Sequence, residues 1–133
     1  MNKKRLYLIL IIYTLFIFYL MIIGFGRETS ATFQYNLVPF ATIGYFLHNP
    51  MVTARDRMIN LLGNIVVFIP FGWLLPRCFS RVLKAYSVFL IGLLFLEMLQ
   101  LITRRGMFDV DDIILNSLGF FVGFGLLKFF RDV

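Results

Sequence analysis

One cysteine, Cys78, and one histidine, His48, are all that this chain offers a borderline-soft metal, and neither has a companion at ligand spacing. A zinc-type Cys/His site is thereby excluded. The single thiol also excludes an internal disulfide, and between Arg77 and Arg81 it reads as a bystander. His48, before Asn49-Pro50, reads as a turn residue. No serine is flanked by glycines as in a nucleophile elbow, and no glycine-rich phosphate loop occurs; Gly24-Phe25-Gly26 is a helix ending. Internal repeats and low-complexity tracts are absent. Acidic residues are few, 7 against 13 Lys and Arg. The resulting positive charge nevertheless forms no basic helix or basic-aromatic stretch of the kind that follows phosphates, so no nucleic-acid partner is expected.

What fills the chain instead is apolar surface. Its 60% hydrophobic content and mean hydropathy of +0.86 exceed what a soluble domain carries and place it in lipid. Apolar runs extend over Leu6 to Phe25, Asn60 to Leu75, Tyr86 to Ile102 and Ile113 to Phe130. A spanning helix needs about 20 residues, so four spans with brief loops use nearly the whole chain. The expected fold is all-α: one domain over residues 1–133, a bundle of four transmembrane helices. The first run begins after Lys3-Lys4-Arg5, as a secretory signal would, but its length exceeds the roughly 7–15 apolar residues of a signal core, so it is expected to be a span.

Charge at the span ends suggests an orientation. If the spans alternate, Lys3, Lys4, Arg5, Arg77, Arg81, Lys84, Lys128 and Arg131 fall on one side, and Arg27, Arg55, Arg57, Arg104 and Arg105 on the other. The side richer in cations is expected to be cytoplasmic, with both termini there. The long first outer loop holds Asn36-Leu37-Val38-Pro39-Phe40 and Tyr45-Phe46-Leu47, too apolar for a free linker. It is expected to be an interfacial or re-entrant segment with its aromatics at headgroup depth. Pro70 and Gly72 should kink or loosen the second span, and Gly119 and Gly123, at small-xxx-small spacing, should bring the fourth into close helix contact.

Polar side chains inside spans are costly, and here they share helical faces. Glu97, Gln100 and Arg104 lie on one face of the third span; Asn60, Gly63 and Asn64 on one stripe of the second; Asp109, Asp112, Asn116, Gly119 and Gly123 on another of the fourth. At about 1.5 Å per residue, Glu97, Asn64 and Asn116 each sit a short way below the outer ends of their helices, which predicts a polar chamber opening outward. Two readings of the amides Asn64, Gln100 and Asn116 stand side by side: ligand contacts, or interhelical hydrogen bonds that serve packing. Asp109 and Asp112 resemble an N-cap with a following acid, and Asp111 is expected to point away and be solvated. Glu97 is the strongest functional candidate. A carboxyl buried in a span either shifts its ionisation or pairs with a cation, Arg104 or Arg105 by spacing, and with Asp112 it could serve as acid and base. No resident cofactor is expected, although carboxylates and amides of this kind can also hold a divalent ion bridging to a lipid phosphate.

Three blocks in order give the chain a resemblance to VanZ-like membrane proteins, a family named after a teicoplanin-resistance accessory protein. They are Asn36-Leu37-Val38-Pro39-Phe40; Asn60-Leu61-Leu62-Gly63-Asn64 leading to Phe68-Ile69-Pro70-Phe71-Gly72; and Glu97-x-x-Gln100 followed by Arg105-Gly106-x-Phe108-Asp109-x-Asp111-Asp112-x-x-x-Asn116-x-x-Gly119. The resemblance implies a small multi-pass protein of the bacterial cytoplasmic membrane, in some members linked to reduced susceptibility to lipid-tailed glycopeptides. Its pattern falls on Asn64, Glu97, Gln100, Arg105, Asp109, Asp112 and Asn116. Two functions follow as expectations. One is a protein that binds or shields an envelope lipid or lipid-linked cell-wall precursor; the other is an intramembrane enzyme using Glu97 and Asp112. A transport path would need polar residues in the inner halves of the spans, which read Val66-Val67-Phe68, Val88-Phe89-Leu90 and Phe120-Phe121-Val122. A purely structural subunit role stays open, because helix-contact glycines suit one.

Overall fold

The structure, a computed structural model, describes residues 2–24 and 28–132. Phe25, Gly26 and Arg27, to which the sequence assigns the end of the first span, part of a helix ending and one outer cation, lie outside the described residues. In chain order the elements are α1 (Lys3–Ile22), β1 (Gln34–Asn36), α2 (Ala41–His48), α3 (Ala54–Arg77), α4 (Val82–Thr103), β2 (Met107–Asp109) and α5 (Val110–Asp132). Helices α1, α3, α4 and α5 are long and apolar enough to cross a membrane. The fold is thus all-α, as expected, apart from a short ribbon in which β1 pairs with β2. The segment between α1 and α3 is not a featureless loop, since it contributes one ribbon strand and all of α2.

Capping bonds close several ends of the long helices beyond their apolar runs. At the start of α1, Asn2 Oδ1 accepts the Lys4 N–H at 3.1 Å. Before α3, Thr53 Oγ1 accepts the Asp56 N–H at 3.1 Å while its own hydroxyl donates to Asp56 Oδ2 at 2.8 Å. This reciprocal cap adds a charged turn ahead of the apolar run. Helix α4 ends with Arg104 in the left-handed region, φ 54°. The Arg104 N–H reaches the Leu101 carbonyl at 3.1 Å and the Arg105 N–H reaches that of Gln100 at 3.1 Å. Those two bonds form the Schellman closure that more often uses glycine.

Helix α3 is not one regular helix. It carries a π-helical turn over Met58–Leu62, where Asn60 Nδ2 donates to the Asp56 carbonyl at 2.8 Å and Asn64 Nδ2 to that of Asn60 at 3.0 Å. Further on, regular helix stops at Val66 and resumes at Ile69. Phe68 and Phe71 there bond to carbonyls three residues back, at 3.2 Å each. The missing N–H of Pro70 accounts for this second interruption, which the sequence anticipates; the π turn is not foreshadowed.

Two compact units build the chain, one of residues 1–35 and 74–108, the other of residues 36–73 and 109–133. In the first, α1 packs on α4. The inner face of α4 runs Ala85, Phe89, Leu93, Glu97 and Gln100, all buried, so one stripe at helical spacing begins apolar and ends polar. In the second, α3 and α5 meet backbone to backbone. A Cβ added at Gly119 would lie 2.2 Å from the Ile65 carbonyl oxygen, at Gly123 2.0 Å from that of Ile69, and at Gly72 1.8 Å from that of Phe120. Gly119 and Gly123 therefore do what their spacing suggests, and Gly72 answers them from α3. Phe68, Phe71, Leu115, Phe120 and Leu127 fill the core around this contact, and the rings of Trp73 and Phe130 meet edge to face at 5.7 Å.

Candidate functional site

The acidic start of α5 is tied to the chain segment that precedes α3. Asn36 organises the link: its Oδ1 accepts the Val38 N–H at 3.0 Å, and its Nδ2 donates to Asp109 Oδ1 at 3.0 Å and to Thr42 Oγ1 at 3.1 Å. Thr42 in turn donates to Asp109 Oδ2 at 2.5 Å. Asp109 Oδ1 also accepts the Asp111 N–H at 2.9 Å, the bond an N-cap makes to the second residue of its helix. Both Asp109 oxygens are thus engaged by the protein itself.

Asp111 overturns the expectation of a solvated side chain. It is fully buried, and its two oxygens accept the N–H groups of Phe40, at 2.5 Å, and Ile43, at 2.9 Å. Phe40 immediately precedes α2, and Ile43 lies in its first turn. A single remote carboxylate therefore satisfies two of the donors that the start of α2 leaves without helical partners. Helical spacing could not foresee this, because the donors belong to another element. The same bond holds Phe40 at φ 64°, a conformation that costs an L-residue about 1–2 kcal/mol, with its ring exposed. Asn36, Thr42 and Asp111 are not among the candidate residues; the resemblance blocks contain Asn36 and Asp111 and could have marked them, whereas no sequence signal singles out Thr42.

Asp112 turns to the other side of α5. Its Oδ1 accepts Asn64 Nδ2 at 2.7 Å, joining the polar stripe of α3 to that of α5. One turn further along the same face of α5 sits Asn116, 1% exposed, whose Oδ1 has no hydrogen-bond partner among the described residues. A buried, unmatched acceptor is rare in a native structure and commonly marks the place of a water, an ion or a ligand. Gly63, grouped by the sequence with Asn60 and Asn64, has nothing among the described residues within 4 Å of an added Cβ.

In the first unit, Glu97 is fully buried and Gln100 nearly so. Gln100 Nε2 donates to the Met21 carbonyl at 2.8 Å, in the last turn of α1, and so serves helix packing. The two arginines part company. Arg104 Nη1 donates to the Ala31 carbonyl at 3.1 Å, its guanidinium lies 5.9 Å from the Phe33 ring centre, and its own carbonyl accepts the Ser30 N–H at 2.8 Å. Arg104 thus secures the segment leading to β1. Arg105, half-buried, follows it in the closing turn of α4. Among the described residues no three His, Cys, Asp or Glu side chains gather as a metal set.

What the second unit offers chemically is a short row of polar groups, Asn64, Asp112 and Asn116, on two helices held at backbone contact, and what the first offers is a buried carboxyl at Glu97. No solved structure matches this chain. Among curated proteins, Protein VanZ of Enterococcus faecium is 28% identical over 125 residues, covering 89% of this chain and 70% of its own length. The VanZ/LLP1 family model matches residues 5–131, nearly the full length, and the chain is a membrane protein belonging to that family.

Proposed function

We propose that the protein lies in the bacterial cytoplasmic membrane with both termini inside, and that the row formed by Asn64, Asp112 and Asn116 binds the headgroup of an envelope lipid or lipid-linked cell-wall component. The excess of cations at the inner ends of the spans supports the orientation. The reading is carried by the Asn116 Oδ1 atom, buried and unmatched one helical turn from a carboxylate–amide pair. Polar groups in a span are retained where they serve function, and the neighbouring carboxylates of the same unit are already occupied, since Asp109 and Asp111 hold α2 and the segment before it. Exposed Leu37, Val38, Phe40, Tyr45 and Leu47 suit the membrane interface and would set α2 at headgroup depth beside the row. Occupying or covering such headgroups would lower the access of lipid-tailed glycopeptides such as teicoplanin, in line with the family to which the chain belongs.

A second reading, favoured by the complete burial of Glu97, gives Glu97 a proton-transfer role on a lipid or lipid-linked glycan. One experiment separates the two. Cells with and without the gene, and with Glu97→Gln or Asn116→Leu at matched expression, are compared for lipid inventory and for teicoplanin adsorption. Binding predicts an unchanged inventory and adsorption restored toward the gene-less level by Asn116→Leu. Chemistry predicts a lipid species that appears or disappears with the gene and is lost in Glu97→Gln. Identical lipids and identical adsorption in all four strains would remove both readings.

A further inference from the structure

Arg57 is a charge that the site described above does not use. It stands half-buried where the chain leaves α2 and enters α3, and it commits one of its five side-chain N–H groups to the protein: Nη2 donates to the Asn49 carbonyl at 3.3 Å, just past the end of α2. That bond suits a cation at a helix C-terminus, yet it supplies no counter-charge. Arg57 Nε is buried with no hydrogen-bond partner among the described residues. The adjacent Asp56 is engaged elsewhere, its Oδ2 accepting the Thr53 hydroxyl at 2.8 Å, and among the described residues no carboxylate pairs with the guanidinium. A cation partly withdrawn from water and left unneutralised is costly, and such groups are retained where something binds them. The depth of Arg57 indicates the partner. The charged turn Arg55-Asp56-Arg57 gives way at once to exposed Met58, Ile59 and Leu62, so Arg57 marks the level at which acyl chains meet headgroups. Those three residues belong to the π turn of α3, an irregularity frequent at functional sites.

We propose that Arg57 is a lipid-phosphate site, its guanidinium binding the phosphate oxygens of a phospholipid in the leaflet that this end of α3 enters. Phosphates are the anions met at that depth, and a planar guanidinium matches them with parallel N–H donors where a lysine offers only a point charge. Exposed Leu47, Met51 and Met58, on either side of Arg57 along the chain, would lie against the acyl chains of the same leaflet. This site stands apart from the row at Asn64, Asp112 and Asn116 and leaves the ligand of that row open.

Full-length protein in detergent, mixed with equal amounts of phosphatidylglycerol, phosphatidylcholine and monoglucosyldiacylglycerol of one acyl length, provides the test by native mass spectrometry of retained lipid. The two phospholipids carry phosphate with and without net charge; the glycolipid carries hydroxyls and no phosphate. The expected result is retention of both phospholipids over the glycolipid by about tenfold, the worth of one charge-assisted hydrogen bond. Arg57→Gln should erase that preference, and Arg57→Lys should keep only part of it. Arg55→Gln, which removes the same charge from an exposed neighbour, should leave it unchanged. Should the glutamine variant fold poorly, the lysine variant, which keeps the charge, decides. A preference for phosphatidylglycerol alone, lost equally in Arg55→Gln, would show general attraction of charge and overturn the proposal, as would a phospholipid preference that neither Arg57 variant moves. Inorganic phosphate offered in place of lipid separates the sources: an adduct as abundant as that of the phospholipids, and absent from Arg57→Gln, would overturn a lipid as the bearer of the phosphate.

Discussion

Alanine at Gly123 should break the α3–α5 contact, and alanine two residues later should not. The added Cβ at Gly123 would stand 2.0 Å from the Ile69 carbonyl oxygen and 3.0 Å from the Trp73 nitrogen, whereas ordinary van der Waals contact begins at 3.4 Å. The helices must therefore separate by about 1.4 Å (3.4 − 2.0) along that line, because the obstructing atoms are backbone and cannot swing aside as a side-chain tip would. Overpacking of this kind costs about 1–3 kcal/mol, roughly a five- to 150-fold loss in the folded population. At Gly125 nothing among the described residues lies within 4 Å of an added Cβ, so the same substitution should be neutral or gain up to about 1 kcal/mol from helix propensity. Thermal unfolding of the two variants in one detergent gives the comparison. Separation should also lengthen the 2.7 Å Asn64–Asp112 bond and weaken lipid retention in Gly123→Ala alone. A Gly123→Ala protein as stable as Gly125→Ala, with unchanged retention, would refute the backbone-contact account.

Other substitutions test the polar clamps. Asp111→Asn leaves one acceptor oxygen for two N–H groups, so amide exchange at Phe40 to Gly44 should rise by the equivalent of about 1–3 kcal/mol while the long helices stay protected; unchanged exchange would deny the capping role. Gln100→Leu strands the Met21 carbonyl and should loosen the end of α1, lowering the unfolding temperature by a few degrees; no change would show that the bond contributes nothing. Outside the spans, burial pushes the Cys78 thiol up from its ordinary value. A raised thiol stays protonated to higher pH, so maleimide labelling of Cys78 should still be climbing where a free-cysteine control has levelled off, and parallel curves would contradict that.

Much of the fold could be read along the chain because its signals are local. Four apolar runs bounded by charge mark the four long helices, since each span must satisfy its backbone within itself in lipid. Pro70 marks an interruption and Gly119 with Gly123 a close contact, because a missing N–H and a missing Cβ act wherever the helix carries them. The stripe that places Glu97 and Gln100 on the buried face of α4 likewise follows from helical spacing alone.

Only the tertiary structure decided what those polar groups touch. Asp111 meets Phe40 across 71 residues and Asn36 meets Asp109 across 73, and no periodicity within α5 encodes which distant N–H or amide arrives there. Spacing therefore released Asp111 to solvent, when the exposed start of α2 was waiting for a carboxylate. Neither could adjacency in sequence separate Arg104 from Arg105: the left-handed turn at Arg104 sends its side chain to Ala31 and Phe33, a choice made by backbone geometry at the helix end. Sequence, then, determined which segments must enter the lipid and which side chains would be costly there; the long-range hydrogen bonds determined which of those side chains are already answered, and that Asn116 Oδ1 is not.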